Sequence, residues 1–268
     1  MIASAAPKVP LTSFVGDFFG LIGSAIALLS GDKQYFLLAI VVAFFLAGLC
    51  WWGASRYSHL WNRRFRVTAA HHLLCLLAAL LTLVYVVLFA SIKYTQVAAE
   101  ASIDRWRIKL LEDKEWWQRV FKETYVAVKN LGVEDFSNYP PPESGGNRIP
   151  LNQQLTRQRV AQIYVNEAIS NFRTEHPFLS SIFWIRSDVP AEDIQNDVNE
   201  FFRKGGQTYA FETAIEIAAR EIKSDLQRQT NRVVPMAWGI LIALFALVQL
   251  IPFGWIGYAA YRDLKVTT

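Results

Sequence analysis

Apolar residues in this chain gather into three long uncharged runs, and between the second and the third the pattern changes to helices with one apolar and one polar face. Tyr35 to Trp52 reads YFLLAIVVAFFLAGLCWW. At 1.5 Å per residue it reaches roughly 27 Å, about one hydrocarbon core. Its closing Trp51-Trp52 pair suits the aromatic belt at a membrane surface. His71 to Ile92 and Val233 to Tyr258 are similar, and the last run is longer than an upright span needs, which predicts tilt or an extra turn outside the core. A buried helix of a large soluble enzyme accounts for one such run, not for three.

Leu11 to Ser30, LTSFVGDFFGLIGSAIALLS, is long enough to cross but contains Asp17. A carboxylate inside a bilayer is costly unless paired or turned to a protein interior, whereas Gly16, Gly20 and Gly23 suit close helix packing. Two readings stand. The segment is a fourth span forming a tight hairpin through Gly31-Asp32-Lys33, or a helix lying in the interface. Apolar residues surround the helix instead of keeping to one face, which favours the span.

Between the second and third runs the period is helical. Ile103, Trp106, Leu110, Trp117, Phe121, Val128 and Leu131 predict one helix over 98–131, continuous with the span before it. Residues 132–150, with Tyr139-Pro-Pro-Pro-Glu-Ser-Gly-Gly, cannot be a helix interior. Leu151 to Arg173 is helical again, with Ala161, Tyr164, Val165, Ala168 and Phe172 on one side, and stops at His176-Pro177. FLSSIFWI, 178–185, suits a strand, a buried helical turn or a patch dipping into lipid. Asp188 ahead of Pro190, Glu192 and Asp193 signals a helix start, with an end at Gly205-Gly206. Phe211, Ile215, Ala218, Ile222 and Leu226 predict a last helix over 207–232 that runs unbroken into the third run, with Pro235 as the place for a kink. The first and last helices of this stretch are expected to be antiparallel neighbours.

Charge follows the same division. Residues 93–232 hold 19 Lys+Arg against 20 Asp+Glu, a net −1, and the rest of the chain holds only 8 against 3. This stretch of about 140 residues is a typical domain size, and its charge excludes a nucleic-acid surface. The overall +4 arises elsewhere. Much of it sits in the loop 53–70, where Arg56, Arg63, Arg64 and Arg66 occur without an acid, and short basic loops stay in the cytoplasm. Arg262 and Lys265 near the C-terminus lie on the same side if two crossings separate them from that loop. The first 30 residues lack a basic start and an A-x-A site, so no removable signal peptide is expected. Cys50 and Cys75 both lie in apolar runs, and cysteine usage therefore reports nothing about the compartment of 93–232.

Candidate chemistry is sparse. His71 and His72 are adjacent and point to different faces of a helix, so they cannot jointly grip a metal, and His59 and His176 are isolated. No phosphate loop, nucleophile elbow, zinc-helix or C-x-x-C motif occurs. The acid pairs Glu112/Asp113, Glu134/Asp135 and Glu192/Asp193 read as solvated faces and first-turn charges. Trp116, which is off the apolar stripe, and Phe183-Trp184 are candidates for contact with a partner or with lipid headgroups. Asp17, Gly16, Gly20, Gly23, Gly239 and Ala243 are candidates for packing within the membrane.

The plan of span, helical domain and span over 71–258 resembles bacterial transmembrane sensor modules such as chemoreceptors. The likeness is architectural and rests on no shared motif. The tail of about ten residues departs from those modules, because it leaves no room for an output domain. The expected fold is an all-α integral membrane protein with three or four transmembrane helices. Residues 1–33 form a membrane-associated or transmembrane segment and 34–92 a hairpin around the loop 53–70. A mainly helical extracytoplasmic domain, 93–232, is inserted before the last span, and 233–268 hold that span and a short cytoplasmic tail. The expected function is that of a non-enzymatic, cofactor-free subunit of an envelope complex in a bacterial inner membrane. It senses, scaffolds or anchors through contacts with lipids and with a protein partner or another copy of itself. The alternative is a channel or pore component, although Gln249 is the only strongly polar residue in the third run.

Overall fold

The computed structural model describes residues 11–61, 65–203 and 211–267. Among the described residues every regular element is helical. The helices are α1 (Leu11–Gly31), α2 (Lys33–Trp61), α3 (Ala69–Ser91), α4 (Thr95–Glu112), α5 (Lys114–Lys129), α6 (Gln154–Glu175), α7 (Pro177–Ile182), α8 (Ala191–Arg203) and α9 (Phe211–Thr267). A 3-10 turn at Ile92–Tyr94 joins α3 to α4, and another lies at Pro142–Ser144. Arg63, Arg64, Gly205, Gly206 and the expected helix start at Gln207 lie outside the described residues.

Among the described residues four stretches are apolar and long enough to cross a membrane: Leu11–Gly31, Lys33–Leu60, Ala69–Glu112 and Phe211–Lys265. The last two include α4 and the first part of α9, so each apolar run carries straight on into polar sequence. α9 contains Pro235 and Pro252 and stays helical through both.

The chain forms two compact units. The first comprises residues 99–230 together with the start of α1, up to Gly20. α6 runs through its interior with Val160, Ala161, Val165, Ala168, Ile169 and Phe172 at 2% exposure or less, which matches the face read from its period. α4 and α9 lie antiparallel here. Glu100 bonds Gln227, Asp104 bonds Lys223 at 2.7 Å and Arg107 pairs with Glu216, so one index falls as the other rises.

The expected single helix over 98–131 is two helices. Asp113 leaves helical geometry and accepts a hydrogen bond from the Trp116 backbone amide, capping α5. Such a cap stabilises a helix start by about 1 kcal/mol. The restart moves the start of the buried face back by one residue, so that Trp116 and Val120 point inward in place of Trp117 and Phe121, Thr124 and Val128 continue that face, and Leu131 is exposed. Gly132, with φ +67, closes α5 in the left-handed conformation that glycine adopts without strain.

The second unit comprises residues 21–98 and 231 onward. α2 and α3 pack against each other. Leu29 of α1 is buried with Ala39 and Ala90, ringed by Tyr35, Phe36, Val87 and Tyr94. Asp32, between α1 and α2, accepts from the Tyr35 amide at 3.2 Å and from the Tyr94 hydroxyl at 2.8 Å. Ala54, Cys75 and Ile256 form another buried cluster with Phe65 and Phe253.

Candidate functional site

FLSSIFWI is the helix α7 followed by a turn, and it shapes the most distinctive surface of the charged unit. Pro177 occupies the first turn of α7, where its missing amide is no loss. The amide of Leu179 donates to Asp17 Oδ2 at 3.0 Å, and His176 Nδ1 donates to Asp17 Oδ1 at 2.9 Å. The Asp17 side chain is only 8% exposed. A carboxylate from α1 thus serves as the cap of a helix about 160 residues further on. Phe14 and Phe18 flank this contact, meeting Phe178 edge-on at 5.3 and 5.0 Å. Asp17, singled out above for packing inside the membrane, is bonded to His176 and Leu179 within the unit that holds the charged helices.

Past α7 the chain turns at Trp184, whose φ of 42 is left-handed, a conformation bulky residues rarely adopt. Three anchors hold it there. Phe183 and Ile185 are 1% and 5% exposed on either side. Amides of 183, 184 and 185 donate to the carbonyls of Leu179, Ser181 and Ser180. Arg186 then spreads its guanidinium over Asp193 at 3.1 Å, Glu221 at 2.8 Å and Asp225 at 3.3 Å. Burial works against the Arg186 charge, but Asp225, with Asp193 and Glu221, outweighs it and holds the pKa above the ordinary arginine value. The result is a Trp184 ring that is 61% exposed on a backbone pinned from both sides.

Of the three aromatics named as contact candidates, only Trp184 stands at the surface. Trp116 is 3% exposed and Phe183 is 1% exposed, so both are corrected to core residues. For Trp116 the cause is the restart of the helix at Asp113. For Phe183 it is the turn, which sends neighbouring side chains in opposite directions. A Cβ built on Gly16, Gly20, Gly23 or Gly239 meets no atom within 4 Å, and Ala243 is exposed. Among the described residues nothing therefore fills the space beside these small residues, which leaves open faces on α1 and α9. The expected loop 53–70 is helical up to Trp61 and again from Ala69, so Arg56 is exposed on the last turns of α2 and Arg66 is exposed in the segment before α3.

The remaining polar candidates are engaged locally. Glu134 accepts from the Gln153 amide at 2.7 Å and Asp135 from the Ser137 amide at 2.9 Å, and the Ser137 bonds hold the Asp135 pKa low. His71 bonds the Thr68 hydroxyl at 2.6 Å and takes part in a capping box at the start of α3, whereas His72 is exposed. In the apolar unit the Gln249 amide donates to the Thr82 hydroxyl at 2.8 Å and to the Ala78 carbonyl at 3.3 Å, tying α9 to α3. Among the described residues no group of three or more His, Cys, Asp or Glu side chains is arranged to hold a metal ion.

Sequence reasoning missed the Asp17–His176 pair and the Arg186 cluster. The signal for the first was present, since an acid in an apolar helix demands a partner, but nothing in a linear pattern says that the partner is 159 residues away. Arg186 carried no such signal.

Fold and site together define a chain that, among its described residues, is all-helical, with four helices apolar and long enough to span a membrane and one charged helical unit that displays an exposed tryptophan. Comparison with protein-family models, with curated proteins and with solved structures found no match.

Proposed function

We propose that this protein is a non-enzymatic membrane subunit of an envelope complex that senses, scaffolds or anchors through its charged helical unit. In this reading it resides in a bacterial inner membrane, with 93–232 on the extracytoplasmic side and the Arg-rich loop and the C-terminus in the cytoplasm. The observation that carries the reading is Trp184. Its ring is exposed and its backbone strained, and two buried neighbours and a three-carboxylate clamp over-determine the turn. Strain retained where the surroundings enforce it points to use of the displayed group, and tryptophan is the residue type most enriched at interface hot spots. The open small-residue faces of α1 and α9 add lateral surfaces for a partner or a second copy.

A channel reading needs a polar path through the apolar unit. The strongly polar residue of the third run does not favour it, because Gln249 spends its amide protons bracing α9 against α3.

A photo-crosslinking amino acid placed at 184, and at exposed Lys129 as control, tests the proposal in native membranes. A discrete adduct from 184 and none from 129 is the expected result. A solitary monomer that gives no adduct from 184 overturns it.

A further inference from the structure

Both ends of α1 make contacts that bear on which side of a membrane they lie. At the C-terminal end Asp32 accepts from the Tyr94 hydroxyl, and Leu29 is buried with Ala39 and Ala90. Tyr94 is where the chain has left α3 and enters the charged stretch. The Gly31 end of α1 therefore lies on the side where that stretch begins. At the other end Asp17 is bonded to His176 and to the Leu179 amide, Phe14 and Phe18 enclose Phe178, and the helix up to Gly20 belongs to the same compact unit as residues 99–230.

We infer that α1 does not cross the bilayer, and that both of its ends lie on the side that holds the charged unit. Its length and apolar composition alone qualify it as a span. The helix between Asp17 and Gly31 rises roughly 21 Å, so in a crossing helix Asp17 would sit most of the way through the hydrocarbon. His176 would have to follow it there, together with its neighbours Arg173 and Glu175 and the Lys109 ammonium paired to Glu175 at 2.8 Å. Each of those ions costs several kcal/mol to bring out of water. Nothing comparable opposes the peripheral arrangement. In it the carboxylate is no intramembrane liability but the cap that α7 lacks from its own sequence, and the phenylalanines of α1 cover Phe178. The apolar composition that imitates a span is used to bury an aromatic of the charged unit.

The test is sidedness of labelling in the full-length protein. Cys50 and Cys75 are replaced by alanine and single cysteines introduced as Leu11→Cys and Ser144→Cys; Leu11 is 77% exposed. Sealed membrane vesicles of each orientation are treated with a membrane-impermeant maleimide. Positions 11 and 144 are expected to label from the same side, at least ten-fold faster than from the other. Labelling of 11 from the side opposite to 144, or from neither side until detergent is added, overturns the inference. Should the cysteine-free protein fail to accumulate, a peptide tag placed ahead of Leu11 and a protease applied to each side of the wild-type chain give the same decision.

Discussion

Trp184 shows how a single residue's conformation separates structural from functional demand. A left-handed backbone costs a non-glycine residue about 1–2 kcal/mol, and an exposed ring recovers little of that by burial. Trp184→Gly should therefore leave the fold as stable or raise its unfolding midpoint by a few degrees, a shift consistent with about 1 kcal/mol in a domain of this size. The same substitution should weaken association with a partner. Thermal unfolding and co-purification measured on one preparation decide it. A loss of 3 kcal/mol or more, as for a core aromatic, would show that the ring serves packing instead.

At the scale of elements, α5 and α6 meet at a point where the charges are not optimal. Glu167 of α6 is half-buried beside Glu123, with Arg119 of α5 at 4.0 Å. Burial first, and the Glu123 charge second, raise the Glu167 pKa above its ordinary 4.5, and Arg119 offsets them only in part. The sign follows from linkage. The folded state binds the Glu167 proton more tightly than the unfolded chain, so stability falls as pH rises from the ordinary carboxylate value through the raised one. Glu167→Gln removes that cost. It should raise the unfolding temperature at pH 7, and the advantage should fade below about pH 4.5. A variant no more stable than the wild type at pH 7 would refute the account.

Helix boundaries are also set at this scale. The faces of α6 and of the first part of α9 were legible because an uninterrupted period of apolar residues survives in the sequence. The α4–α5 boundary was not. Its breaker is an aspartate cap within a run of good helix formers, which glycine and proline counting overlooks, and it moved Trp116 from the surface to the core.

For the molecule as a whole, the charged stretch and the basic loop make the topology testable. If α2, α3 and α9 are the spans, the chain crosses three times and the charged unit and the C-terminus face opposite sides. Cysteines at Ser144 and Thr268 should then label from opposite faces of sealed vesicles. Labelling of both from one face would remove α9 as a span. This outcome is independent of the side taken by α1, since Leu11 is compared only with Ser144.

The sequence by itself determined the helical class, the apolar stretches and the separation of a charged block from them, because each is a property of local composition and period. It also flagged Asp17 as a residue in need of a partner. Only the tertiary structure decided which partner, because a hydrogen bond between α1 and the start of α7 depends on how distant helices pack and leaves no periodic trace. The same holds for the strained display of Trp184, which results from Phe183 and Ile185 being buried and from Arg186 reaching carboxylates on two other helices. Local propensity fixes what a segment is, whereas the energy of burying and pairing its side chains fixes what it is next to.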